Sequence, residues 1–366
     1  MIADRIKLAR RKAGFSLRQL SAEMQNRVTA QAIGKYERGE DIPSSGVLLA
    51  LAKALKVSLN YLLDAQGVKL ANVEFRTKAN ITVQERATVE TEVLEWIERY
   101  LQIELILELD SAIWHRPTAD RNSLDDISDV EALARGVREE WNLGLAPIPN
   151  MTELLEEKGL KVLTVRLPQR VSGFTCHVER GEGRPAVPVI VVNNQVSLER
   201  RRLTLAHELA HGLVEAVPLG DKEEEKIATM FAGAFLMPRE HLLDEVGKQR
   251  RALGYNELVE LKHLYRVSGA ALLMRLRQVE VISQSTLVYA FQSIARGWRA
   301  QEPKELEPEE YRGQFERALR FERLCYRALA EGLISLPKAA ELLRLPASEV
   351  EAGIRGPLSV HADRSK

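Results

Sequence analysis

Cysteine is almost missing from this chain: Cys176 and Cys325 are the only two in 366 residues, too few for a disulfide framework. The opening stretch, MIADRIKLARRKAG, lacks the apolar core of a signal peptide. No apolar run approaches the ~20 residues that cross a bilayer. These absences predict a soluble protein of a reducing cytoplasm with no membrane partner. Net charge is missing too, since 52 Lys and Arg balance 52 Asp and Glu. There is no internal repeat and no low-complexity tract. A hydrophobic content of 45% excludes wholesale disorder, and 366 residues exceed one ordinary core, so two or three domains are expected.

The zero net charge hides an asymmetry. Residues 1–64 carry 11 Lys or Arg against 6 Asp or Glu, a balance of +5 that the rest of the chain offsets with −5. A small basic module on a mildly acidic body fits an amino-terminal unit that meets phosphate.

Helix signals fill those first residues. Ile2, Ile6, Ala9 and Ala13 repeat at helical spacing before Gly14, Ser16 can cap LRQLSAEM, and Thr29 can cap AQAIGKYERG ahead of Gly39. IPSSGVLLALAKAL and SLNYLL complete a five-helix, all-α set over 1–66. Residues 80–109 read as one long, charge-rich helix within a helical connector, 67–125, suited to joining domains or to dimerisation. HRPTADRNSLDD, 115–126, is polar and contains Pro, marking a boundary. An α+β unit follows over 126–250: two helices, then strands in LKVLTVRL, SGFTCHVE and PVIVVNN, then helices over about 199–215 and 221–236. Residues 251–366 read as mostly helical, with the last ten frayed.

The chemistry centres on LTLAHELAHGLVE. His207 and His211, four apart on a helix, face the same way and can share one ion. Two neutral imidazoles suit Zn²⁺, and Glu208 lies where it can take a proton from a water attacking a peptide carbonyl. With only 7 histidines in the chain, this H-E-x-x-H pattern arises by chance in about one such sequence in a hundred. The helix is apolar on nearly every side, from Leu203 and Leu205 to Leu213, so its polar residues are expected to need buried partners. Pro218 and Gly220 break the chain, and Asp221 with Glu224 resembles a capping box for the next helix. That helix offers Glu223, Glu224 and Glu225 as third ligands. Ala228 and Ala232, along the face of Glu225, favour Glu225 by allowing close approach. His177, alternating with Thr175 and Glu179, either lines the cleft or is an exposed strand histidine. Arg200, Arg201 and Arg202 crowd the start of the histidine helix, where cations oppose the dipole, and suggest a substrate or acidic-partner contact. Cys176 reads as a small core residue.

PVIVVNN, RRLTLAHELAHGLV and EKIATMFAGAFLMP, taken in order, resemble the ImmA/IrrE family of metallopeptidases over about residues 127–245. The resemblance implies a gluzincin-like fold of small sheet plus zinc helix. It also implies metal ligands at His207, His211 and Glu225, Glu208 as base, and Zn²⁺ as cofactor with Mn²⁺ as a substitute. The family's frequent Asn four residues after the ligand Glu is Thr229 here.

Residues 2–64, with apolar Leu20, Ile33, Tyr36, Leu48, Ala52, Leu55 and Leu62, resemble the XRE-type, Cro/phage-repressor-like helix-turn-helix. That resemblance sends the third helix into the major groove, with Gln31 placed to read adenine, Lys35 guanine, and Thr29 and Arg38 near phosphates. Many members carry Gln at the second position of helix two, where this chain has Leu17, while Arg10 and Glu37 match a structural ion pair.

Joined, the two resemblances imply a DNA-binding transcriptional regulator with a zinc-dependent endopeptidase domain. Such a protein controls a phage, mobile-element, toxin–antitoxin or stress regulon by cleaving a repressor-type protein. Its partners are a double-stranded operator, a protein substrate or partner regulator, and a second copy in a homodimer. The alternative is a non-proteolytic repressor or antitoxin whose metallopeptidase-like domain only senses a metal, ligand or partner.

Overall fold

The computed structural model describes residues 2–63, 69–71, 82–109, 113–118, 127–180, 185–214, 220–298 and 300–356. Three sequence expectations lie outside the described residues: the end of the boundary at 119–126, the break at Pro218, and the frayed tail from 357. The chain forms two compact units, each discontinuous in sequence. One takes Met1–Val68, Glu90–Ala112 and Ala318–Lys366; the other takes Lys69–Val89 and Ile113–Arg317. Among the described residues no helix is long and apolar enough to cross a membrane.

The first unit is all α. Its amino-terminal helices are α1 (Ile2–Lys12), α2 (Leu17–Glu23), α3 (Ala30–Arg38), α4 (Ser45–Leu55) and α5 (Leu59–Leu63). The expected caps are present: Ser16 and Gln19 form a capping box on α2, and the Thr29 hydroxyl accepts from the Ala32 N–H at 3.2 Å. Gly39 closes α3 with φ +71°, a conformation that favours glycine. All seven apolar positions named for this module, Leu20 through Leu62, are buried.

The long helix α6 (Val83–Ile106) forms as expected, with one side covered. Val93, Leu94, Ile97, Tyr100 and Ile103 are buried along it. The Tyr100 ring packs 5.4 Å from that of Phe321 on α15 (Arg320–Ala330). Glu95 accepts from Arg344, just past α16 (Leu336–Leu343), at 2.6 Å, and α17 (Ala347–Arg355) packs on α16. Sequence periodicity shows that a helix has a wet face; it does not show that residues two hundred positions later cover it.

The second unit is a sheet with helices layered on it. Its strands are β1 (Lys69–Ala71), β2 (Lys161–Val165), β3 (Gly173–Glu179) and β4 (Val187–Asn193), in the order β1-β3-β4-β2. β3 is antiparallel to β4, β2 runs parallel to β4, and β4 is buried throughout. The fourth strand, β1, was not expected. It pairs antiparallel with the far half of β3, with Ala71 opposite His177. Three residues carry too little alternation to announce a strand.

Helix α7 (Ile127–Glu140) and α8 (Met151–Glu157) precede the sheet; α9 (Leu198–Val214) and α10 (Asp221–Leu236) follow it. α9 packs on β3 and β4, α10 packs on α9, and α7 on α10. The remaining helices are α11 (Arg239–Val246), α12 (Tyr255–Tyr265), α13 (Gly269–Gln278) and α14 (Gln284–Gln292). A strap over residues 300–317, with one 3-10 turn at Glu309–Tyr311, follows them.

Candidate metal centre and nucleic-acid interface

The approach of α9 to the sheet depends on Gly173. A Cβ there would stand 2.6 Å from the Val191 carbonyl oxygen and 2.7 Å from Thr204 Cγ2, so only glycine lets α9 come this close to β3. Buried Asn193 fastens the turn before β3. Its amide donates to the Val171 carbonyl at 2.8 Å, and its oxygen accepts from the Gln195 N–H at 3.0 Å.

On α9, His207 and His211 turn Nε2 toward a common point, 3.1 Å apart. Glu225 of α10 completes the triangle, 3.4 Å from His207 Nε2 and 3.6 Å from His211 Nε2. A tetrahedral ion held at 2.0–2.2 Å keeps its ligands about 3.3–3.6 Å apart; both Glu225 distances fall in that range, and the 3.1 Å between the imidazoles is slightly short of it. His211 is buried, His207 partly so, and Glu225 is exposed. Of the three acidic competitors, Glu225 is thus the one that converges with the histidines. Ala228 and Ala232 are fully buried, as expected for the close approach of α10.

Glu224 does something the sequence did not suggest. The capping box expected for Asp221 and Glu224 is absent, because Gly220 is the N-cap and Asp221 already belongs to the helix. Glu224 instead places Oε1 2.8 Å from His211 Nδ1. A carboxylate only accepts, so Nδ1 carries the hydrogen and the Nε2 lone pair is left facing the cluster. Thr229, where the family's Asn was expected, brings Oγ1 to 3.5 Å from His207 Nδ1, a long contact.

Glu208 is buried beside the cluster and accepts a 2.9 Å hydrogen bond from the Thr175 hydroxyl on β3. Strand alternation put Thr175 on the same face as His177, but sequence reasoning weighed the histidine and missed the threonine. His177 is half-buried on that face. Cys176 is buried core, as expected.

The cluster opens on a cavity of about 720 Å³, walled by α9, by the β3 start and by strap residues such as Glu305 and Arg312. The three arginines before the histidines divide here. Arg201 is buried in a bidentate pair with Glu307, at 2.8 and 2.9 Å. Arg202, fully buried, pairs with Glu316 and donates to the Ile148 carbonyl at 2.7 Å. Burial pushes the Arg202 guanidinium below its ordinary value, while the Glu316 charge and hydrogen bond pull the other way. The substrate or acidic-partner contact suspected for all three therefore fails for these two, which anchor the strap; only Arg200 is exposed on the cavity.

In the amino-terminal helices the polar residues point outward. Gln31 and Lys35 are exposed on α3, while Ile33 and Tyr36 between them are buried. Thr29 spends its acceptor on the cap but keeps a hydroxyl hydrogen to donate. Arg38 is exposed and bidentate with Glu40, at 2.6 and 2.8 Å. Its guanidinium is held above its ordinary value, first by that hydrogen bond. Leu17 stands where a phosphate-holding Gln was expected and lies against Gly34. Arg10 and Glu37 form the anticipated pair at 2.6 and 2.8 Å.

Comparison with protein families agrees with both resemblances. Residues 6–62 match the helix-turn-helix family and residues 155–277 match the family described as IrrE N-terminal-like domain. No match is found among curated proteins. The chain thus carries a helix-turn-helix DNA-binding domain and a protease-like domain of the ImmA/IrrE type.

Proposed function

We propose that this DNA-binding regulator cleaves a repressor-type protein with its IrrE-like domain, and so controls a phage, mobile-element, toxin–antitoxin or stress regulon. The observation that carries the proposal is the convergence of His207, His211 and Glu225 beside buried Glu208, on the wall of a cavity large enough for a peptide. The donor set of two imidazoles and a carboxylate suits Zn²⁺, with Mn²⁺ as a substitute. A divalent ion held there supplies Lewis-acid polarisation and lowers the pKa of a coordinated water.

The side chains divide the remaining work. Glu208 takes the proton of the attacking water on a carboxylate oxygen and returns it to the amine released when the peptide C–N bond breaks. Thr175, donating to Oε2 at 2.9 Å, fixes the carboxylate rotamer. Glu224 orients His211. On the operator, Gln31 and Lys35 read base edges from α3, while Thr29 and Arg38 meet phosphates.

The test incubates the metal-loaded full chain with the helix-turn-helix repressors encoded beside it, using Glu208→Gln as control. Cleavage that disappears with Glu208→Gln and with a chelator supports the proposal. Identical behaviour of the two chains, or no cleavage of any partner, overturns it.

A further inference from the structure

The cavity has a charged end that the proposed chemistry leaves unused. Arg200, Leu203, Thr204, His207, Glu208 and His211 all line it, a spacing that places them on one face of α9. At 1.5 Å per residue, Arg200 lies about 10.5 Å along the helix from His207. That span equals about three residues of extended peptide.

The charges lining this space are unevenly matched. Glu302 accepts from the Gly269 N–H at 2.7 Å and lies 3.3 Å from Lys262 Nζ. Glu305 is paired with Arg312 at 2.6 Å. Arg200, by contrast, uses only Nε, donating to the Ser172 hydroxyl at 2.9 Å, and its side chain is exposed. Arg170, also exposed, lines the same cavity. Among the described residues neither arginine has a carboxylate within 4.0 Å. Arg200 also stands in the first turn of α9, where the helix dipole disfavours a cation and favours an anion. A carboxylate arriving there would meet both the free guanidinium edge and the positive end of the helix.

We infer that Arg200, seconded by Arg170, is a specificity-determining subsite for an acidic side chain, Asp or Glu, about three residues from the bond that is cut. The inference rests on reading this cavity as a peptidase site. It goes further by naming what distinguishes a substrate from other extended chains.

Two experiments on the full-length chain test it. In the first, Glu208→Gln chain, which binds without turnover, is titrated with two end-blocked, fluorescently labelled octapeptide pools. One pool carries a single Glu at a randomised position in an Ala/Ser/Leu background, the other a single Lys. The Glu pool is expected to bind about tenfold more tightly, Arg200→Ala to abolish the difference, and Arg200→Glu to reverse it. Equal binding of the two pools, or a preference that survives Arg200→Ala, overturns the inference. Because Arg200 is exposed and loses only the Ser172 hydrogen bond, an unchanged thermal melt separates this result from misfolding.

In the second, metal-loaded chain with Glu208 intact digests an end-blocked peptide library, and the cut sites are read by mass spectrometry. Acidic residues enriched three positions from the cut support the subsite, and a flat profile overturns it. Absence of any cutting, with the binding preference still present, sinks the peptidase reading and leaves Arg200 as an acidic-peptide site.

Discussion

Helices α3 and α9 both carry the polar residues of a proposed site, but they hold them in opposite ways. On α3 the side chains proposed to meet DNA are exposed, and the helix is fixed by neighbours: Thr29 at one end, Gly39 at the other, and Ile33 with Tyr36 beneath. On α9 the key groups are buried or half-buried, and each is satisfied by a residue from elsewhere: Thr175, Glu224, Glu307 or Glu316. A surface that reads DNA needs only a rigid rod with groups pointing out. A site that handles charge away from water needs every buried polar atom matched. Truncating a side chain on α3 should therefore cost one contact, and on α9 should expose a network.

The sharpest test of that contrast is Glu208→Gln. It should lower peptide cleavage by about 10²–10⁴-fold, as for loss of a general base, while bound metal, measured by elemental analysis, stays at the level of the unaltered chain. Loss of the metal as well would mean that Glu208 is part of the cluster rather than beside it.

Arg201→Met comes next. It strands Glu307 without its cation and should cost about 3–5 kcal/mol in urea unfolding, with much of it recovered in Arg201→Met/Glu307→Gln, whose amide oxygen still accepts from the Gln314 and Phe315 N–H groups. Burial pushes the Glu307 carboxyl up, but the hydrogen bonds from Arg201, Phe315 and Gly313 outweigh it and hold the group below the ordinary 4.5. A depressed carboxylate stabilises fully above pH 4.5, and the contribution disappears as pH falls through the lower native value. The double variant should lack that part of the acid sensitivity; an unchanged profile of stability against pH would reassign it to other carboxylates.

Much of the molecule was legible where its signals are local. The caps at Ser16 and Thr29 and the i, i+4 histidines follow from patterns that a short window contains, and the seven apolar positions of the amino-terminal helices from the helix-turn-helix resemblance. Ala228 and Ala232 favoured Glu225 over Glu223 and Glu224, since small residues mark a close approach, and the ImmA/IrrE resemblance singled it out. What was illegible is what α9 takes from afar. Nothing in GFTCHVE says that Thr175 bonds Glu208. Nothing near three consecutive arginines says that two are buried against a strap a hundred residues later. Strand β1 fails for the complementary reason: it is too short to have a period.

Smaller effects refine the comparison. Glu224→Gln should weaken metal binding about 10–100-fold, the range expected when a histidine loses its orienting carboxylate; competition against a chromophoric chelator measures it. On α3, Gln31→Ala and Lys35→Ala should each cost about 1–3 kcal/mol of operator affinity and relax preference at one base pair. A uniform loss across all sequences would instead make these residues phosphate contacts. Smallest, Thr29→Ala should cost about 1 kcal/mol of stability through its cap, readable in the same urea titration.

The strap has a consequence for the order in which the chain is made. Arg201 and Arg202 find their carboxylates 106 and 114 residues downstream. At ~5–20 residues per second, a ribosome delivers Glu307 and Glu316 some ~5–20 s after the arginines. Through that interval the start of α9 cannot be buried without leaving two cations unmatched, and the cavity lacks one wall. The histidines thus emerge well before the enclosure that gives them a function, and the nascent chain carries the H-E-x-x-H helix without a finished site.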